Sequence, residues 1–342
     1  MLSDQRIVVI GTSAGGVDAL MTIVRQLPAD FPSPIFIVLH IPPDSPSLLA
    51  HILTREGALP AKEAEDGELY RNGTIYVAPP DRHLLISKEG RLRTVRGPRE
   101  NRHRPSIDPL FRSAAATLGP LVIGVILTGA LDDGTAGLVA VAKRGGTTII
   151  QDPRDALYPA MPSSAMEHVR ADHVLPLADI ARQLTLIVNE AVPVNPGPTR
   201  DDDMLMEVRM AELDPQAMQE DDRPGDPSPY SCPDCGGVLW EIQDEDFVRY
   251  RCRVGHAFSP ETMLSAQSDV LEEALWTAAK TLEESARLSK RLARSERARG
   301  HDWLAKRFEE KEREARERVE TIRRFLLKDT SEVPIEVPQA GR

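Results

Sequence analysis

Arg6-Ile-Val-Val-Ile-Gly-Thr-Ser13-Ala-Gly-Gly16-Val-Asp-Ala-Leu20 is the stretch whose reading decides the fold. A β-branched run ends in glycine, a serine follows among small residues, and an amphipathic helical pattern begins at Val17. Read as strand, turn and helix, it puts Ser13 at the carboxyl end of a buried parallel strand. Gly11, Gly15 and Gly16 admit backbone angles and close approaches that a side chain blocks. The first N–H groups of the following helix face the same spot, so a hydroxyl meets anion-stabilising donors. That combination suits acyl chemistry, and Gly11-x-Ser13-x-Gly15 fits the nucleophile-elbow pattern. A phosphate or dinucleotide loop and a plain structural turn fit the same five residues.

Working outward, Pro34-Ile-Phe-Ile-Val-Leu-His40 and Leu121-Val-Ile-Gly-Val-Ile-Leu-Thr128 are two more apolar runs of strand length. Ile41-Pro42-Pro43 ends the first, and Gly129-Ala-Leu-Asp-Asp133-Gly134 ends the second. Thr147–Gln151 and His173–Leu175 read as further strands, alternating with helical patterns near 17–27, 46–55, 108–118, 135–143, 162–169 and 177–192. This alternation predicts an α/β fold: a doubly wound, mostly parallel sheet in a Rossmann-like three-layer arrangement. Short strand candidates near 61–64, 74–78, 83–87 and 91–95, with turns at Asn72-Gly73 and Glu89-Gly90, predict an antiparallel excursion of hairpins.

Ser13, His40 and Asp133 then each fall at, or just past, the carboxyl end of a strongly apolar strand, where an open α/β sheet has its ligand crevice. A nucleophile, a base and an acid converging there follow serine-triad logic. The backbone N–H groups of Ala14 and Ala130 are placed to hold an oxyanion. Taken singly, His40 also reads as a packed histidine, and Asp132 or Asp133 as the cap of the next helix. The order Ser, His, Asp differs from the Ser, Asp, His order of α/β-hydrolases.

The net charge of −11 argues against a nucleic-acid partner, and no apolar run is long enough for membrane insertion. Three cysteines confined to residues 232–252 do not make a disulfide framework, and no signal peptide is read before the first strand. The chain is expected to be cytoplasmic.

These residues are familiar as a set. Residues 1–195 resemble the catalytic domain of the CheB family, the chemotaxis protein-glutamate methylesterases. Six motifs carry the resemblance: Ile10-Gly-Thr-Ser-Ala-Gly-Gly16, His40-Ile-Pro-Pro43, Lys62-Glu-Ala-Glu-Asp-Gly67, Tyr76-Val-Ala-Pro-Pro80, Asn101-Arg-His-Arg-Pro-Ser-Ile-Asp108 and Ile126-Leu-Thr-Gly-Ala-Leu-Asp-Asp-Gly134. The resemblance implies hydrolysis of glutamate γ-methyl esters on chemoreceptor cytoplasmic helices, with glutamine deamidation as a further activity and no catalytic cofactor. It places the family's triad on Ser13, His40 and Asp133. The alternatives are an esterase or amidase on another protein, outside motility, and an inactive sensory scaffold. The family's usual receiver domain is not expected here, because the catalytic strand starts at residue 6. Ala14 stands where threonine is usual, and Leu131 where glycine is. Arg102 and Arg104, with His103 between them, form a rim able to receive a product carboxylate or acidic receptor helices; a loop salt-bridged to its own domain fits equally.

Beyond the catalytic region, residues 196–229 read as an acidic, proline-bearing linker, with a short helix near 203–213 as a docking option within it. Cys232-Pro-Asp-Cys235, then Cys252-Arg-Val-Gly-His256, uses every cysteine and predicts a structural Zn²⁺ site in a zinc-ribbon-like module over 230–258. A helical hairpin or coiled coil is expected over 259–329, starting at the cap Ser259-Pro260 with a seam through Leu264, Leu271 and Leu275, and a disordered tail over 330–342. The helical tail is a candidate dock for a separate regulator.

Overall fold

Ile7–Thr12 forms β1, buried along its whole length in the middle of a seven-stranded sheet. The computed structural model describes residues 5–87, 89–190, 202–214, 216–217, 224–244 and 247–328. The expected tail at 330–342, and linker positions 196–201, 215 and 218–223, lie outside the described residues. The sheet also holds β2 (Ile35–Leu39), β3 (Ala61–Glu63), β4 (Ile75–Val77), β7 (Val122–Ile126), β8 (Thr147–Gln151) and β9 (His173–Leu175). Their order is β3-β4-β2-β1-β7-β8-β9, and each neighbouring pair is parallel.

A parallel strand covered on both faces reads as an unbroken apolar run, which is what β1, β2 and β7 show. Ile7 and Val9 enter one core with α3 (Ile107–Leu118), α4 (Thr135–Lys143) and α5 (Ala160–His168). Val8 and Ile10 enter the other with α1 (Gly16–Val24), α2 (Leu49–Glu56) and α6 (Leu177–Ile187). Each such burial contributes roughly 1.5–3 kcal/mol, so a one-residue slip of β1 would misplace both sets at once. Gly11 is required by closeness: a Cβ there would lie 2.4 Å from Ile107 Cγ2.

The antiparallel excursion is corrected in part. β3 joins the main sheet as its parallel edge strand and β4 pairs in parallel between β3 and β2, while of these four only β5 (His83–Ile86) and β6 (Leu92–Val95) form an antiparallel hairpin. The reason lies in Ile75-Tyr76-Val77, all three buried: a strand covered on both faces belongs inside a layered sheet. From β1 the chain goes to β2 on one side and later reaches β7 on the other. This reversal opens the crevice at the strands' carboxyl ends.

The described residues up to Leu264 form one compact unit and those from Ser265 onward a second. The first unit includes α7 (Asp202–Ala211) and an antiparallel sheet of β10 (Asp226–Ser231), β11 (Val238–Asp244), β12 (Phe247–Cys252) and β13 (Ala257–Phe258). Within the stretch expected as linker, α7 is packed rather than solvated, with Met204, Glu207 and Met210 buried. The second unit holds most of α8 (Pro260–Ala298) and all of α9 (Asp302–Lys328), separated at Gly300, whose φ is +82°. Ion pairs Glu283–Arg323 and Arg297–Glu309 run between these helices. The seam differs from expectation. Leu264 and Leu271 are exposed, while Ala279, Ala286 and Ala293 are buried at heptad spacing, small residues that allow close helix approach. Among the described residues no helix is long and apolar enough to cross a membrane.

Candidate active site

Three backbone hydrogen bonds gather the strand ends. The Ser13 N–H donates to Thr128 O at 3.1 Å, the His40 N–H to Thr12 O at 3.3 Å, and the Leu127 N–H to Gly11 O at 3.0 Å. The Thr12 hydroxyl donates to Thr128 O and the Thr128 hydroxyl to Ala14 O, which clamps the turn after β1 against the end of β7. Gly15 closes that turn at φ +75°, the left-handed region where a Cβ is penalised, and α1 begins at the next residue.

On this frame the three sequence-predicted side chains meet. His40 Nδ1 lies 3.1 Å from Ser13 Oγ, and its Nε2 lies 2.6 Å from Asp133 Oδ2. The His40 and Asp133 side chains are 5% and 2% exposed, so water does little to weaken their contact. The carboxylate partner assigns the ring proton to Nε2 and leaves the Nδ1 lone pair toward the serine hydroxyl.

Asp133 does not cap its own following helix. It sits at the N-terminus of α3, where Oδ2 accepts from Ile107 N–H at 2.7 Å and Oδ1 from Asp108 N–H at 3.4 Å. The Ser106 hydroxyl and the Asn101 amide, 2.9 and 2.8 Å from Oδ1, complete the set. Burial pushes this carboxyl up, but the hydrogen bond and charge of His40, with the helix N–H groups, hold it well below the usual carboxylate range. Asp108 behaves oppositely: burial, then the charge of Asp133, pushes it up.

His103, read in the sequence only as part of a basic rim, stacks flat on His40, with centroids 3.6 Å apart and planes 7° from parallel. Its Nδ1 lies 2.6 Å from Asn101 O, so that nitrogen carries the proton. Burial, then the charge of His40, brings His103 down to about 4. With the folded value below the unfolded one of about 6.5, the unfolded chain binds the proton first as pH falls. His103 by itself is then expected to remove about 3 kcal/mol of stability between pH 6.5 and 4, read as the difference between wild type and a variant lacking the imidazole. Urea unfolding at pH 7 and pH 4.5 checks this, because His103→Phe keeps the stacked ring and flattens that part of the slope.

The Gly129–Ala130 turn abuts Ser13, since a Cβ on Gly129 would lie 3.0 Å from Ser13 Cβ. The Ala14 and Ala130 N–H groups donate to no other group among the described residues. Leu131 takes φ +59°, in the left-handed region that favours glycine, at a steric cost of roughly 1–2 kcal/mol. Arg104 is bound within its own domain, to Asp81 at 2.6 Å and to Gly97 O. Arg102, half-buried, stands at a left-handed corner with φ +69°.

Cys232, Cys235, Cys252 and His256 come together in the antiparallel sheet, with all four ligand atoms within 4.8 Å of one another. Cys235 Sγ and Cys252 Sγ are 3.7 Å apart, and His256 Nδ1 is 3.7 Å from Cys232 Sγ and 3.5 Å from Cys252 Sγ. A tetrahedron with metal–sulfur bonds of about 2.3 Å has edges of about 3.8 Å, so the set has the size of a closed metal site.

Residues missed in the sequence are Asn101, Ser106 and Asp108. The available signal was two uncharged polar residues and an acid inside a motif read for its arginines.

Comparison with known proteins covers the part of the chain that holds this site. The family model described as CheB methylesterase matches residues 8–184. A Leptospira interrogans protein is 45% identical over 174 residues, spanning 51% of this chain and 90% of that protein. A Xanthomonas campestris pv. campestris protein named protein-glutamate methylesterase/protein-glutamine glutaminase 1 is 38% identical over 189 residues, 54% of this chain and 52% of its own length. The crystal structure of the Thermotoga maritima CheB methylesterase catalytic domain aligns with a TM-score of 0.52 at 39% identity, covering 54% of this chain and 99% of that one. With its parallel sheet and the match across residues 8–184, the chain belongs to the CheB methylesterase family.

Proposed function

We propose that the chain hydrolyses γ-methyl esters of glutamate side chains on chemoreceptor cytoplasmic helices, releasing methanol, and deamidates glutamine at the same site. One observation carries this reading: the unbroken line Ser13 Oγ, His40, Asp133, with steps of 3.1 and 2.6 Å, at the sheet's switch point. Relatives of the same family bear the names of both reactions.

Ser13 Oγ attacks the γ-carbonyl carbon as His40 Nδ1 takes the hydroxyl proton. The Asp133 carboxylate balances the imidazolium that forms, and the N–H groups of Ala14 and Ala130 receive the oxyanion. His40 returns its proton to the departing methoxide, so methanol leaves and a glutamyl ester of Ser13 remains. Water, deprotonated by the same imidazole, then releases the glutamate carboxylate. For glutamine the leaving group is ammonia. The loop that carries Arg102 and Arg104 is assigned to the product carboxylate or to acidic receptor helices. Leu157, whose side chain lies against Gly15, and Tyr158 are exposed beside the nucleophile and give a protein helix an apolar footing. The helical C-terminal region is assigned to a separate regulator.

The four-residue Cys/His set is assigned to a structural Zn²⁺, because four protein ligands leave no open position. Metal-replete protein is expected to carry one zinc per chain by elemental analysis, and Cys252→Ser to carry none. Chelation is expected to open the antiparallel sheet to proteolysis, and a metal-free wild type with an intact sheet would contradict the assignment.

A receptor-helix peptide with one glutamyl γ-methyl ester tests the activity. Methanol release that follows enzyme concentration is expected, together with slower ammonia release from the glutamine peptide. Turnover of small aryl esters with none on either peptide would point to a different substrate.

A further inference from the structure

The triad carboxylate is held on one side by donors from the catalytic domain and on the other through residues beyond the matched region. The link is Asn101. Its amide nitrogen donates to Asp133 Oδ1 and to Asp108 Oδ2, both at 2.8 Å. Its amide oxygen accepts from the Ser259 N–H at 3.1 Å and from the Thr262 hydroxyl at 3.2 Å. Both amide N–H groups are used, and the oxygen shares its donors with a small network: the Ser259 N–H also lies 2.9 Å from Thr262 Oγ1, and the Thr262 hydroxyl 2.7 Å from Ser259 Oγ, so Ser259 and Thr262 hold the amide together. The family match ends at residue 184, so both donors to the oxygen come from outside it.

A second contact meets the same loop pair. Ser259 Oγ donates to Asp132 Oδ1 at 2.8 Å, one residue before the triad acid, and also accepts the Thr262 N–H at 3.1 Å as the cap of α8. Ser259, Thr262, Asn101 and Asp132 are all 4% exposed or less, so these bonds do not exchange with solvent. Neighbouring contacts fix where the group sits. The Asn101 N–H donates to Ala257 O at 2.8 Å, and the Arg251 guanidinium reaches Glu100 Oε1 at 2.9 Å. Asn101 itself sits at φ +48°, a backbone cost retained where surrounding contacts over-determine the conformation.

We propose that Ser259 and Thr262 are positioning residues for the esterase: through Asn101 and Asp132 they set the orientation of Asp133, and through it His40. The segment after β13 is thus part of the active-site framework rather than a tethered appendage. This rests on the triad reading above. The effect belongs to the step in which the imidazolium forms. It therefore falls on kcat, while substrate binding, which does not use Asp133, is unchanged.

The test uses the full chain and the methyl-ester peptide, with active sites counted by fluorophosphonate titration of Ser13 so that unfolded protein is not scored as slow enzyme. Ser259→Ala/Thr262→Val is expected to lower kcat per titrated site by about 10–100-fold with KM within about twofold. Thr262→Ser, which restores the hydroxyl donor, is expected to stay within about threefold of wild type. A double variant with wild-type kcat overturns the proposal, as does one that raises KM alone. Should the double variant not fold, Thr262→Val decides by the same criterion, because it swaps a hydroxyl for a methyl of equal size. Ser13→Ala runs alongside: turnover by that variant would sink the triad reading itself, whatever residues 259 and 262 do.

Discussion

Replacing Asp133 with asparagine is expected to lower kcat for the methyl ester by about 10⁴-fold while KM stays within about threefold. The carboxylate accepts on both oxygens: Ile107 N–H and His40 Nε2 on Oδ2, Asn101 Nδ2 and Ser106 Oγ on Oδ1. An asparagine offers one carbonyl oxygen, so whichever way it turns, its NH₂ faces donors. Turned one way, it confronts Ile107 N–H and drives the His40 proton to Nδ1, where the imidazole no longer accepts from Ser13. Turned the other way, it confronts the Asn101 amide, and the charge that balances the imidazolium is still gone. Methanol release per titrated site measures the loss, and circular dichroism checks that the fold survives. A decrease under tenfold would mean that Asp133 only caps α3.

The second large effect concerns stability. Glu207 on α7 is fully buried, and its Oε1 lies 2.6 Å from Arg249 Nη1 and 3.1 Å from Arg251 Nε. Burial opposes its ionisation, but the charges of Arg249, Arg112 and Arg251 hold it well below the usual carboxylate range. Arg251 passes the line on to Glu100, which also pairs with Arg112 of α3. Deleting one member leaves buried guanidinium charge without its partner, and the desolvation cost then exceeds anything the remaining pairs return. Glu207→Ala is therefore expected to cost about 3–5 kcal/mol, read as a lower urea midpoint for the first unit. A loss below about 1 kcal/mol would mean that water enters and solvates the arginines.

The two halves of the molecule were unequally legible in the sequence. β1, β2 and β7 are buried on both faces, so their composition announces strands, and each catalytic candidate sits where its strand stops. β3 and β4 fall where strands were expected, but their pairing was misread because three-residue strands carry no periodicity and their parallel pairing depends on crossovers between segments apart in sequence. Asn101 was hidden among arginines whose charge drew the reading. Its hydrogen bonds to Ser259 and Thr262 span about 160 residues, a separation that leaves no local pattern. Glu207 was hidden for the same reason, as an acid in an acidic stretch whose burial depends on arginines more than 40 positions away. Along α8, alanine spacing rather than leucine spacing marks the buried residues, because closeness there outweighs side-chain size, whereas α9 buries Val319 and Leu326 beside Ala305 and Ala315.

The most direct test of the central claim is methanol release from methylated chemoreceptor membranes by wild type and Ser13→Ala, each verified as folded. The account predicts steady release by the wild type and a rate at least about 10⁴-fold lower for the variant. Equal release by both would contradict it, because a site whose turnover ignores Ser13 does not work by serine acyl transfer.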